Sequence, residues 1–417
     1  MAYRKDPDLE FLKQVKSEDL DDLVRCLIYD KDNERRWMQT LTNKELFKKH
    51  YPDHHQYWRE IAAEIQSFGG NTIFNFFRGK GVLYKEVLTD VCDKMRVAHD
   101  KNNSTIELEN CLLLKILEDA VKKMTPEELK KFGASLGKGV FDGVTSETAE
   151  AMLKTIFISS LASYQLSFMV AKATVQAFLE TGLHAARMLG NVFMPRAFGA
   201  IIGPIGLVIT GLWAAVGAAG PAYKVTVPAV ILVAALRKKR SMYSIALIGD
   251  VGVGKTTLLR YLQKGEFVQI CEETVVVEKN EAFESPLWQH PISSIDDYSG
   301  DPQFIRKQKE LCKDKDLILF CYNPQKVLEG KIEKGFFLQR LQGLINEKVF
   351  FIATHSDCYD VNDMKKRMRV FFDSPSMGSF SKLLGSDNSF FVNLKNETET
   401  KNMLLQILKM MEAAAYE

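Results

Sequence analysis

The chain has 417 residues, 46% of them hydrophobic and 26% charged, with a formal net charge of +2. That length accommodates two or three domains with full apolar cores, and the composition excludes a wholly disordered or collagen-like chain. Near-neutral charge argues against nucleic acid as a partner.

The average hides an asymmetry. Residues 155–240 carry eight basic groups and one acid, a local charge of +7 that leaves −5 for the rest. The seven cysteines are odd in number and form no CxxC pair, so they read as reduced thiols rather than a disulfide or zinc framework. The start, Met-Ala-Tyr-Arg-Lys-Asp-Pro-Asp, lacks the apolar core of a secretion signal, and a cytoplasmic protein is expected.

Three zones follow one another: 1–145, 146–240 and 241–417. The first is polar with helical patterning, roughly six or seven helices and no sheet. Thr42 with Glu45, and Thr125-Pro126-Glu127-Glu128, have the spacing of capping boxes, in which each side chain satisfies the other's backbone N–H. His50, His54 and His55 near Asp53 match no strong metal-ligand spacing and read as a solvated loop. Trp58 with Phe74, Phe76 and Phe77 reads as core rather than a platform for a nucleobase.

The second zone is apolar. A helix capped by Thr145 or Ser146 runs from Glu147 towards Phe178, and no charge falls between Lys154 and Lys172. A second uncharged stretch covers 197–223 and a third 225–236, the latter ending in Arg237-Lys238-Lys239-Arg240. About 20 apolar residues suffice to cross a bilayer. Gly203, Gly211, Ala215 and Ala219 permit close helix contact, and the basic run suits anionic lipid headgroups on the cytoplasmic side. Pro204 and Pro221 interrupt the region. Two readings stay open: a membrane-engaging hairpin within 197–240, or a buried hairpin in a helical bundle or oligomer interface.

The third zone alternates short apolar runs with amphipathic stretches. Strands are expected at 244–248, 274–278, 292–296, 317–321, 349–353 and 390–393, with helices at 255–264, 303–313, 328–346, 361–372 and 398–413. Such alternation signals an α/β domain with a mostly parallel sheet. The predicted fold class is therefore multidomain, all-α followed by α/β.

The first of these strands runs into Gly249-Asp250-Val251-Gly252-Val253-Gly254-Lys255-Thr256, a GxxxxGK[ST] phosphate-binding loop in its required strand–loop–helix context. Glycines let the loop curl so that backbone N–H groups face the phosphates, and the next helix adds its positive N-terminal end. The binding set is Gly249, Asp250, Gly252, Val253, Gly254, Lys255, Thr256 and Thr257. Lys255 neutralises β/γ-phosphate oxygens, and the Thr256 hydroxyl is a ligand for Mg²⁺. The loop alone leaves ATP and GTP open.

With its downstream elements, the stretch 243–415 resembles the Ras-like GTPase superfamily. The DxxG element is Asp297-Tyr298-Ser299-Gly300. The resemblance implies that Asp297 approaches Mg²⁺ through water and that the Gly300 N–H meets the γ-phosphate; Asp296 competes for the aspartate's role. Thr274 is the sole threonine between Thr257 and Asp297 and takes the place of the switch threonine on Mg²⁺, or is an ordinary strand residue. Thr354-His355-Ser356-Asp357 stands where an [NT]KxD element reads guanine, and its THxD form looks like that of Roc-type GTPases. A carboxylate at 357 accepts from both N1–H and the exocyclic amine of guanine, a pattern adenine does not offer; a helix N-cap is the alternative role. Asn393-Leu394-Lys395 loosely matches the last family element. Asp301 replaces the family's water-orienting glutamine, which implies slow intrinsic hydrolysis assisted by a partner protein or a second copy of the chain. Gln303 and Arg306 are nearby. The implied cofactors are GTP, GDP and Mg²⁺.

Zones one and two together resemble the bacterial YaaW family, grouped with ubiquinol–cytochrome c chaperone-like domains. The matching residues include Asp8-Leu9-Glu10-Phe11-Leu12, Phe68-Gly69-Gly70-Asn71, Arg78-Gly79-Lys80-Gly81 and Gly203-Pro204-Ile205-Gly206. That family implies architecture and no activity. A switch with slow GTP hydrolysis coupled to this module is the expected function. The alternatives are a nucleotide-gated membrane effector and a chaperone-like interaction protein that does not hydrolyse nucleotide.

Overall fold

A computed structural model of the chain describes residues 2–30, 34–68, 81–100, 102–135, 141–158, 160–178, 205–209, 211, 223–268, 278–280, 283, 285–288, 292–297, 312, 315–330, 349–373 and 388–416. They fall into two compact units, Met1–Arg240 and Ser241–Glu417.

The first unit is helical among its described residues: α1 (Ser17–Ile28), α2 (Glu45–His50), α3 (Trp58–Phe68), α4 (Tyr84–Lys94), α5 (Thr105–Val121), α6 (Pro126–Ser135), α7 (Ser146–Ile158), α8 (Ser160–Phe178) and α9 (Tyr223–Arg240). Capping follows local chemistry. Thr125 and Glu128 exchange bonds at the start of α6, with Thr125 N to Glu128 Oε2 at 2.8 Å and Glu128 N to Thr125 Oγ1 at 3.3 Å. Ser104 and Glu107 form a second reciprocal box before α5 that the sequence reading did not single out. The box expected of Thr42 and Glu45 is absent: Thr42 lies in a 3-10 turn, where its hydroxyl accepts from Gln39 and its N–H donates to the same side chain. The solvated-loop reading holds for the exposed Asp53 and His55 but fails at His54. His54 is buried, its ring against the Tyr57 hydroxyl and Asp21 Oδ1. Trp58 is buried beside Tyr3, whereas Phe74, Phe76 and Phe77 lie outside the described residues.

Helix α9 is the hub of this unit. Every residue from Val225 to Leu236 is buried, and α1, α3, α4, α5 and α8 all pack against it. A helix covered on all sides needs no polar face, which explains an apolar run without helical periodicity. Its last turn is pinned by distant partners. Arg237 Nε pairs with Glu109 Oε2 at 2.9 Å, its Nη2 donates to Asp8 O at 2.6 Å, and its guanidinium lies over Phe11. Lys239 pairs with Asp19, Arg240 donates to Gln14 Oε1, and the Lys238 ammonium lies over Phe157. The basic run read as a lipid-headgroup cluster therefore has protein partners throughout. Among the described residues no helix is long and apolar enough to cross a membrane. Most of 197–223 lies outside the described residues.

The second unit holds a six-stranded sheet in the order β2-β3-β1-β4-β5-β6. The strands are β1 (Tyr243–Gly249), β2 (Glu278–Asn280), β3 (Ile292–Asp297), β4 (Leu317–Tyr322), β5 (Val349–Ala353) and β6 (Ser389–Phe391). All pairings are parallel except β2 with β3 at the edge. The helices are α10 (Lys255–Lys264), α11 (Pro324–Leu328), α12 (Val361–Phe372) and α13 (Glu397–Tyr416). Alternation along the strands builds two cores. Ile245, Leu247, Leu317, Leu319 and Ile352 meet α10 and α13 on one face, whereas Ala246, Ile248, Ile318, Phe320 and Phe351 meet α12 on the other. The result is the expected α/β domain in three layers. Residues 274–277 and most of the helices expected at 303–313 and 328–346 lie outside the described residues.

Candidate functional site

Strand β1 is central, with β3 on one side and β4 on the other, so the chain winds away from it in both directions. In such sheets ligands bind beyond the carboxyl ends of the strands, where the winding reverses. The phosphate-binding loop leaves β1 at that place.

Its glycines are required by geometry. Gly249 has φ +139°, and a Cβ there would sit 1.9 Å from Cys321 O in β4. Gly254 has φ +90°, and its Cβ would sit 2.3 Å from Leu394 Cδ1. Gly254 is the N-cap of α10 and supplies no side-chain cap, so the helix opens on backbone N–H groups and its positive end. Lys255 is only 6% exposed, and its ammonium folds back over the loop to Gly249 O at 3.3 Å and Asp250 O at 2.8 Å. Thr256 and Thr257 follow in the first turn of α10. Val253 belongs to the sheet core, so only its backbone is available to a ligand.

The loop after β5 lies at the same end of the sheet. Thr354 is wholly buried and continues the β4–β5 pairing through Thr354 N to Tyr322 O at 2.9 Å. His355 turns the chain in the left-handed region at φ +63°, and a 3-10 turn follows at Ser356–Cys358. Asp357 lies within that turn with its side chain 34% exposed, 3.7 Å from Lys395 Nζ. The N-cap role that competed for Asp357 belongs to Asp360, whose carboxylate accepts from Asp363 N at 2.7 Å. Burial holds the His355 imidazole below its ordinary pKa; Asp357 opposes that shift, and Lys326 and Lys395 add to it.

The loop after β6 joins the two. Ser356 N donates to Val392 O, Asn393 Oδ1 accepts from Lys395 N at 3.0 Å, and Leu394 packs over Gly254. Tyr261 of α10 fixes this loop by donating to Leu394 O at 3.0 Å. Tyr261, Tyr322, Lys326 and Tyr359 (whose hydroxyl donates to Thr354 O) support the site and escaped the sequence reading. Their contacts cross from one strand or loop to another, and no local pattern signals that.

Two adjacent aspartates end β3. Asp296 is buried and pairs with Lys315 at 2.6 Å. Asp297 is the last residue of β3 and pairs with Leu247 of β1. Thr274, Gly300, Asp301, Gln303 and Arg306 lie outside the described residues, as do Tyr298 and Ser299. Among the described residues no group of three or more His, Cys, Asp or Glu side chains could hold a metal. The Thr256 hydroxyl in the first turn of α10 is a hard oxygen ligand of the kind that suits Mg²⁺, an ion held through one or two protein groups plus substrate phosphates.

Residues 244–364 match the Ras family model, which implies guanine-nucleotide binding, and residues 3–37 match a domain of unknown function, DUF3944. A UPF0174 protein of Helicobacter pylori strain J99 is 42% identical over 240 residues, covering 57% of this chain and 94% of the relative. Another, from strain 26695, is 40% identical over 205 residues, 48% of this chain and 97% of its own. The UPF0174 protein YaaW of Escherichia coli K12 is 33% identical over 239 residues, 57% and 95%. This likeness falls in the N-terminal part, ahead of the Ras-family region.

Proposed function

The chain belongs to the UPF0174 family and carries a Ras-family domain behind the shared region, and from that premise we propose that it is a GTP-dependent switch with slow, magnesium-dependent hydrolysis that acts on its own UPF0174 region. The observation that carries this reading is the packing of Leu394 over Gly254. It sets the loop that follows a strand end beside Asp357 directly against the loop that would grip phosphates, so one ligand with a purine at one end and a phosphate tail at the other spans both.

In this reading the backbone of 249–254 and the start of α10 bind the phosphate tail, and Lys255 exchanges its bonds to Gly249 O and Asp250 O for β/γ-phosphate oxygens. Thr256, Thr274 and Asp297 would hold magnesium, which when bound neutralises charge on the β/γ-phosphates. The Gly300 N–H senses the γ-phosphate. Asp357 accepts from guanine N1–H and its amine, with Thr354, His355 and the 393–395 loop shaping that end. Asp301 in place of glutamine supports slow turnover. Coupling rests on connectivity: α9 ends at Arg240, pinned within the first unit, and β1 begins at Tyr243.

Titration with fluorescent GTP and ATP analogues tests the reading. GTP should bind at least about 100-fold more tightly. Asp357→Ala should abolish that preference, and Lys255→Ala should weaken both ligands. Equal affinity of the wild-type chain for the two would refute it. Phosphate release under single-turnover conditions checks hydrolysis separately.

A further inference from the structure

His355 stands where the Ras-family pattern has lysine, and its surroundings give the exchange a chemistry. The Thr354 hydroxyl lies 3.2 Å from Tyr322 O and 2.8 Å from His355 Nδ1. A carbonyl oxygen only accepts, and a hydroxyl has one hydrogen. With that hydrogen on Tyr322 O, the imidazole supplies the other, and Nδ1 donates to Thr354 Oγ1. The lone pair of the neutral ring then sits on Nε2, the atom that would take a proton.

Charged groups face this ring from three elements: Lys326 of α11, Asp357 of its own turn, and Lys395 of the loop after β6. The fourth titratable neighbour, Tyr359, is committed through its hydroxyl to Thr354 O at 2.9 Å, with its phenol raised far above neutrality by burial. Asp357 is the single anion in this group. Lys395 already lies 3.7 Å from it, so a proton on the ring would set a further cation against the same carboxylate.

We propose that His355 makes guanine-nucleotide binding acid-sensitive: as a neutral Nδ1–H imidazole it positions the turn that bears Asp357, and a proton at Nε2 draws the Asp357 carboxylate away from guanine. The proposal rests on Asp357 being the guanine-binding carboxylate. Its sign is fixed by linkage. Protonation and nucleotide oppose each other, so GDP must lower the pKa of His355, and affinity must fall as pH drops through that pKa. A lysine in this position, charged across the whole range, has no such response.

The test is GDP affinity of the full-length chain from pH 7.5 to 5.0, beside His355→Asn. Asparagine keeps a donor near the place of Nδ1–H, tolerates the left-handed backbone and does not titrate. GDP's own phosphate titration affects both proteins alike, so the ratio of wild-type to variant Kd isolates the ring. That ratio should rise at least about threefold across the range, with a limiting slope of about tenfold per pH unit. A constant ratio overturns the proposal. Should the variant fail to fold, ¹⁵N NMR of the wild-type ring decides the matter. A neutral Nδ1–H tautomer whose pKa falls on adding GDP supports the proposal, and an Nε2–H tautomer or an unmoved pKa overturns it. Absence of GDP binding at every pH would refute the underlying nucleotide reading as well, and is thereby distinguished from a failure of His355 alone.

Discussion

Replacing Arg237 by methionine asks what the basic end of α9 is for. The Arg237 side chain is 18% exposed and the Glu109 side chain 3%, and they meet at 2.9 Å. Removing one member of a buried pair costs about 3–5 kcal/mol, because the other is left as an uncompensated charge. Two features place this case at the low end. Methionine keeps an apolar stem over Phe11, and the Tyr84 hydroxyl still donates to Glu109 Oε1 at 2.9 Å. Loss of the cation–π contact adds about 0.5–1 kcal/mol. A total of about 3.5–4 kcal/mol corresponds to roughly 300- to 700-fold more frequent opening of the helix, at 1.4 kcal/mol per tenfold. Hydrogen exchange at the amides of α5 and α9 reads this directly and avoids a whole-chain unfolding curve in a two-unit protein.

The pH dependence has a definite sign. The pair is asymmetric: burial holds the Glu109 carboxyl above the usual carboxylate range despite Arg237. Burial works against the Arg237 charge as well, but Glu109, Tyr84 and Asp8 together raise its pKa. An acid whose pKa is raised by folding contributes stability in its protonated form, and that contribution is lost as pH rises through the folded value. Without Arg237 the carboxyl rises further, so the variant's deficit should be largest above neutrality and shrink towards pH 5. Adding Glu109→Gln should recover most of the loss. If Arg237→Met opens less than threefold more often than wild type at pH 7.5, the pinning described for α9 is refuted. A run devoted to lipid headgroups would give that result.

Two further outcomes follow from the same geometry. Gly249→Ala should cost about 3 kcal/mol of stability in the second unit and abolish nucleotide binding, since its Cβ falls on Cys321 O, whereas Gly252→Ala, with φ +71° and open space around it, should cost only about 1 kcal/mol; thermal unfolding of the two variants side by side checks the contrast. Ser104→Ala should lose about 1 kcal/mol as a true helix cap and Thr42→Ala less than about 0.5 kcal/mol, measured as changes in denaturation midpoint; equal losses would contradict the capping assignment.

Local chemistry made some of this protein legible in one dimension. The step from β1 through the glycines into α10 is written in sequence because a strand, a tight curl and a helix start each demand particular residues at fixed spacing. The strands of the second unit read as apolar runs because a parallel sheet covered on both faces needs them. The cap at Thr125 was legible because both partners lie three residues apart. Tertiary structure decided the rest. Asp296 finds its ion partner in Lys315, which packing alone brings to it. Asp357 and Asp360 were separated by where α12 begins. The apolar run from Val225 to Leu236 is too short to cross a bilayer by itself, but joined to the uncharged stretch before it, it suits a membrane hairpin and a bundle interior alike, since both solvents are apolar. Five packed helices made it core. Its basic end found Glu109, Asp19 and Asp8 at separations of 128, 220 and 229 residues, partners that no spacing rule reaches because packing alone brings them together.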